Sequence, residues 1–366
     1  MKRSLARKSA VLGAGGMLAA SLLSTAAATT AANAASITSV ANVTAAQSHG
    51  PSWRTILSVS NGTRTGLFDT VVATGKTSGW AFRSDGTAYT RTGAATWRKV
   101  AFPGQGGAVN VAGASSPSNV WAAYGTASGT QLYHWSGRTW TLAKSFPHGG
   151  SLTALSVLGP DDVWAFGGTG STGTDGAFHF NGRTWTEVSK TPQGGNALSD
   201  RDVWAYNGTQ VGFFNGGRWT AANLAKLLPA GSSLAGIIAL APGNVYATAG
   251  VNNPGRGAVE LAVLHFNGRT WSKAAAAAGV YTNPGRALAS DGKGGLWLVG
   301  ETPGASQENP ESSLRVLRYS AGRLTTVTVP STAVTAVSSI PGTAEELGAG
   351  EMYGTGNGTS VVLQYS

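Results

Sequence analysis

No cysteine occurs among the 366 residues, so neither disulfides nor a lipid-modified cysteine anchor is available. A chain of this length buries enough surface to fold without cross-links. Charge is also scarce: 11% of residues are charged, and only 16 are acidic. A glycosidase needs two carboxylates roughly 5–10 Å apart, and most of these acids fall in turn segments. Long apolar runs are missing after residue 23, so no transmembrane helix is expected. No run of Lys or Arg forms a focused patch, which argues against a nucleic-acid partner.

What is present begins with the N-terminus. Lys2, Arg3, Arg7 and Lys8 precede an apolar stretch, Ala10 to Leu23, and then a small-residue region ending Ala32-Asn33-Ala34. This is the pattern of a secretory signal peptide. Arg7-Lys8 lacks a twin arginine, which points to the general secretion route. The expected organisation is a signal over 1–34, a short linker over 35–50 and one folded domain over 51–366, exported to the extracellular space. Removing the signal takes four of the 26 basic residues and no acid, leaving 22 against 16, or +6 rather than the +10 of the whole chain. A mildly basic surface of this kind suits solubility or anionic glycans.

All twelve tryptophans fall on three positions of one repeat. Trp80, Trp121, Trp164, Trp204 and Trp297 sit in segments close to Val-Trp-Ala-x-x-Gly. Trp53, Trp97, Trp140, Trp185, Trp219 and Trp271 sit in segments whose best copies read Asn-Gly-Arg-Thr-Trp. Trp135 takes a slot held elsewhere by Phe180, Phe214, Phe266, Tyr319 and Tyr365. A clean copy, Ser151 to Val188, reads as strands over Leu152–Leu158, Val163–Phe166, Ala177–Phe180 and Arg183–Val188. Asn181-Gly182 predicts a tight type I′ hairpin between the last two.

Central residues of the second strand recur at 80, 121, 164, 204, 246, 297 and 347, the last copy being the degenerate Glu346-Leu347-Gly348. Seven copies of four short strands predict an all-β, seven-bladed β-propeller of antiparallel blades. Val361 to Tyr365 matches a third strand, after which the chain stops, while Ser52-Trp53-Arg54-Thr55 matches a fourth. The N-terminal strand is therefore expected to complete blade seven and close the ring, which leaves a monomer as the expected state.

The Asp-Val-Trp-Ala-x-Gly and Asn-Gly-Arg-Thr-Trp pattern resembles secreted, actinobacterial-type propeller repeats, loosely related to Kelch and galactose-oxidase-type propellers. The resemblance spans Pro51 to Ser366 and implies the fold; propellers host hydrolases, oxidases, lectins and scaffolds alike. A galactose-oxidase copper site uses a tyrosine cross-linked to cysteine, so that activity is excluded. Sialidase boxes place serine ahead of Asp-x-Gly by one more residue than Ser290-Asp291-Gly292-Lys293-Gly294 does.

Aromatic rings repeated at one strand position are expected to wedge neighbouring blades rather than to stack on sugars. His134, His179 and His265 recur one residue before the third-strand aromatic, too dispersed around a ring to share a metal. Asp161, Asp162, Asp200, Asp202, Asn119 and Asn244 precede second strands, where short polar side chains cap turns.

Departures from the repeat are concentrated in long loops of blades five to seven. They carry the candidate binding residues Asn252, Asn253, Arg256, Tyr281, Arg286, Glu301, Glu308 and Tyr353, alongside Asn283, Gln307 and Glu311. Loops held by a rigid scaffold are where recognition concentrates. Convergent Asn, Arg, Tyr and Glu side chains suit a glycan or protein ligand. Glu301, Glu308 and Glu311 are the candidates for an acid pair or a cation site. No cofactor is required by these residues, and no metal is assigned. The expectation is a secreted, non-enzymatic binding module, with a polysaccharide hydrolase or lyase on the same loops, or a scaffold without small ligand, as the alternatives.

Overall fold

The computed structural model describes residues 51–60, 66–104, 108–147, 151–167, 176–251, 260–282, 288–301, 314–331, 333–352 and 358–366. All of them belong to the compact unit Ala34–Ser366. Seven antiparallel sheets form the blades of a propeller. The innermost strands, beginning with Phe68–Gly75 and Val109–Ser116 and ending with Ala333–Ser339, touch their neighbours all the way round, and the last meets the first.

Ring closure follows the expected scheme. The sheet of blade seven runs β1 (Trp53–Ser60), β29 (Thr359–Tyr365), β28 (Glu346–Met352) and β27 (Ala333–Ser339). Trp53 lies opposite Tyr365, and the ladder extends one step further through Ser52 N–H to Ser366 O at 3.1 Å. Pairing the two ends removes a sheet edge that would otherwise be free to recruit another chain.

Side chains alternate along each second strand, so the Val and the Trp of Val-Trp-Ala face opposite seams. Trp80 meets Trp135 and Trp140 of the next blade, at ring-centre distances of 5.0 and 5.1 Å. The same step recurs from Trp121 to Phe180 and Trp185, from Trp164 to Phe214, and from Trp204 to Phe266 and Trp271. Tyr246 repeats it against Tyr319, and Trp297 against Trp53 and Tyr365. The second-strand rings are thus interblade wedges, and Trp80, Trp121, Trp164 and Trp297 are fully buried. The outer-strand rings Trp140, Trp185, Trp219 and Trp271 are half-buried at the rim.

The seam between blades seven and one departs from the pattern. Leu347 replaces the wedge ring and packs with Tyr89 and Trp97. Arg91 stands in the third-strand aromatic slot, where it donates to Gln364 Oε1 at 2.8 Å. Gln364 donates in turn to Glu345, which pairs with Lys76 at 3.0 Å. A polar relay has replaced ring stacking at the point where the circle closes.

The Asn-Gly turns differ from the expected type I′. Phe180 pairs with Trp185, and Asn181 N–H donates to Thr184 O, so the central residues are Gly182 and Arg183. Only Gly182 takes a positive φ, +85°. A type I′ turn needs positive φ at both central positions, and arginine resists it. Asn181 instead sits before the turn, with Oδ1 accepting the N–H groups of Arg183 and Thr184. Asn215 and Asn267 repeat this arrangement.

Candidate functional site

Antiparallel blades sort their connections onto two faces. Turns joining first to second and third to fourth strands share one face; second-to-third loops and the links between blades share the other. On the short-turn face the recurrent histidines stack on the wedge rings: His134 on Trp121, His179 on Trp164 and His265 on Tyr246, each with ring centres 4.4 Å apart. Their Nε2 atoms bond Asn119, Asp162 and Asn244 at 2.8, 2.9 and 2.9 Å. Burial lowers the pKa of His134 and His265, favouring the neutral ring.

The residues ahead of the second strand therefore do more than cap turns. Asn119 and Asp202 also accept the indole N–H groups of Trp121 and Trp204. Among the described residues no group of three His, Cys, Asp or Glu side chains could hold a metal ion. No helix among them is long and apolar enough to cross a membrane. Asp291, in the segment Ser290-Asp291-Gly292, is a structural residue too. Its Oδ1 accepts Lys293 and Gly295 N–H, and its Oδ2 accepts Arg318 Nη2 at 2.9 Å.

On the loop face the candidate set is only partly placed. Asn252, Asn253, Arg256, Arg286, Glu308 and Tyr353 lie outside the described residues, as do Asn283, Gln307 and Glu311. Of the eight candidates, Tyr281 and Glu301 are brought together: they lie opposite each other in blade six, with Glu301 half-buried. Two further carboxylates on this face are already engaged, Glu260 with Lys273 and Asp85 with Arg83.

Blade six also holds a feature that periodicity did not reveal. Inner strands of five other blades bulge by one residue near their start, as between Leu152 and Ala154, while that of blade four pairs there without a shift. In blade six the inner strand divides into β22 (Tyr281–Thr282) and β23 (Leu288–Ser290), both paired with β24 (Leu296–Glu301). Thr282 lies opposite Gly300 and Leu288 opposite Leu298, so five residues occupy a place where blade three uses two. The sequence signal was Pro284-Gly285, since proline and glycine interrupt strands.

The blades surround a central cavity of about 180 Å³. Its polar lining includes Thr70, Asn110, Thr153, Asn196, Thr248 and Ser338. Several of these stitch blades together: Thr70 donates to Val109 O, Ser338 accepts from Ala73 N–H, and Asn196 accepts from Ala239 N–H. Beside the divided strand the cavity reaches Leu261, Leu298 and Val299, residues of second and third strands. Among the described residues the titratable one in the lining is Tyr206, whose hydroxyl donates to Ala235 O and whose pKa burial pushes up to about 12. Among the described residues the lining carries no side chain that is charged at neutral pH.

No family model matches this sequence, and no curated protein matches it. Solved propellers are similar in shape. A streptogramin B lyase superposes with a TM-score of 0.59 at 12% identity, covering 86% of this chain and 98% of that one. YCF48 bound to D1 peptide gives 0.56 at 14% identity, covering 87% and 97%. The WD40 propeller domain of Doa1 gives 0.57 at 12% identity, covering 87% and 97%. Identities this low establish the propeller fold alone.

Proposed function

We propose that this chain is a secreted, non-enzymatic binding module that recognises a cell-wall or environmental glycan, or a protein segment, through the loop face of blades five to seven. The observation that carries the reading is the broken symmetry of blade six, whose inner strand is divided beside the central cavity. A structural ring gains nothing from that interruption, and an adapted loop face does. The sequence adds a second sign: Asn-Pro-Gly-Arg occurs twice, at Asn253–Arg256 and Asn283–Arg286. The strands that precede the two copies, β19 (Asn244–Val251) and β22, are neighbours. Each copy offers an amide and a guanidinium, which suit hydroxyl, carboxylate or carbonyl groups.

Peptide recognition is known for one fold neighbour, YCF48, and supports the protein arm. The test is a glycan array and a peptide library screened with the purified chain, followed by product analysis on any glycan retained. Retention without cleavage is the expected result, and replacing Arg256, Tyr281 and Glu308 together weakens it at least about tenfold, or about 1.4 kcal/mol. New reducing ends or unsaturated sugars overturn the non-enzymatic reading. Binding unchanged in the triple variant overturns the placement on these loops.

A further inference from the structure

Glu346 occupies a slot built for an aliphatic side chain. It opens the second strand of blade seven, opposite Ser339 and Tyr365. Val163 holds the matching place in blade three, opposite Val157 and Phe180. The equivalent residues elsewhere are Gly79, Val120, Val203, Val245 and Leu296. Alternation turns Leu347 toward blade one, so Glu346 faces the seam with blade six. It is 0% exposed, and neither carboxylate oxygen has a hydrogen-bond partner.

The seam around it is tightly shut. A Cβ on Gly292 of blade six would stand 2.1 Å from Thr343 O of blade seven, and Ser339 donates across to Ser290 O at 2.8 Å. Among the described residues the charged and titratable groups at this seam are Asp291 of blade six, with the Arg318 bonded to it, and Tyr365 opposite Glu346 in its own sheet. Arg318 lies over the Trp297 ring, with Nε and Nη2 both committed to Asp291. Among the described residues no free cation is therefore aimed at Glu346 within the seam, and the charge that acts on it is that of another carboxylate, Asp291.

We infer that Glu346 is a proton-operated latch: as the neutral acid it seals blade seven against blade six, and loss of its proton loosens that seam. An ionised carboxylate buried without a partner beside Asp291 is costly, and seam opening gives it water. Burial first, and then the Asp291 charge, raise its pKa well above the usual carboxylate range. For a carboxyl whose folded value exceeds its unfolded one, stability is complete below the unfolded value of about 4.3 and declines as pH rises toward the folded value.

The test compares the wild-type chain with Glu346→Gln and Glu346→Val by thermal melting, by amide hydrogen exchange of β28, and by infrared spectroscopy. Between about pH 5 and about pH 9, protection of β28 in the wild type, corrected for intrinsic exchange, falls at least about tenfold, while both variants stay level. At neutral pH the wild type shows a protonated-carboxyl infrared band that Glu346→Gln lacks. Parallel pH profiles in wild type and variants, or no such band, overturn the inference. If Glu346→Gln proves less stable than wild type at every pH, the carboxylate is paired and the inference also fails.

Discussion

Replacing Trp164 by alanine lowers the free energy of unfolding by about 3–5 kcal/mol, measured by denaturant titration. The ring is 1% exposed and lies between its own His179, at 4.4 Å, and Phe214 of the next blade, at 6.0 Å. Burying a tryptophan removes about 150–250 Å² from water, an upper contribution of roughly 4–6 kcal/mol before ordering costs. Alanine forfeits most of this and leaves a cavity in a seam that other blades fill with equally rigid groups. Trp185 is the internal control, since it belongs to the same repeat but is half-buried at the rim. Equal losses for Trp164→Ala and Trp185→Ala would mean that the wedge position is not what holds the blades together.

Asp291→Ala is the second large effect, about 3–5 kcal/mol of lost stability by the same titration. The carboxylate is 1% exposed and satisfies four donors: two turn N–H groups and two nitrogens of Arg318. Alanine leaves the two N–H groups unmet inside the turn and Arg318 without its counterion over Trp297. Asn keeps the Oδ1 bonds and weakens only the ionic one, so Asp291→Asn should fall between wild type and alanine. In a double-mutant cycle, the Asn change also relieves Glu346 of its neighbouring charge and lowers its raised pKa, so the loss of stability on the alkaline side becomes smaller and is complete at a lower pH. Additivity of Asp291→Asn and Glu346→Gln at high pH would show that the two carboxyls do not sense each other.

Periodicity made the architecture legible because the wedge needs a large ring once per blade. The spacing of Trp80, Trp121, Trp164 and Trp204 records that geometry directly. The clean copy is legible almost to the residue: strands expected at Leu152–Leu158 and Val163–Phe166 run Leu152–Gly159 and Asp162–Gly167. Turn chemistry was less transparent, since Asn181 acts through its side chain instead of its backbone. Glu346 lies in a weak copy of the repeat, and burial, which spacing does not report, is what sets it apart from the aliphatic residues at the matching position of other blades. Arg91 likewise stood where a ring was due, and its relay through Gln364 to Glu345 joins residues too distant in sequence for spacing to reveal. The divided strand of blade six was signalled by Pro284-Gly285, but a repeat of changing length gives no ruler for where an insertion lands. Of the candidate ligand contacts, Tyr281 and Glu301 share a rung because they flank that interruption from paired strands.

The partnership of Trp53 with Tyr365 also dictates an order of events during biosynthesis. Strand β1 is among the first folded segments to emerge, yet its hydrogen-bonding mate spans Thr359–Tyr365, some three hundred residues later. Until that distant stretch arrives, an aromatic strand must stay solvated and kept from wrong neighbours, which places the slow, long-loop step last. A chain interrupted anywhere before residue 359 leaves β1 with nothing to zip onto and the ring open.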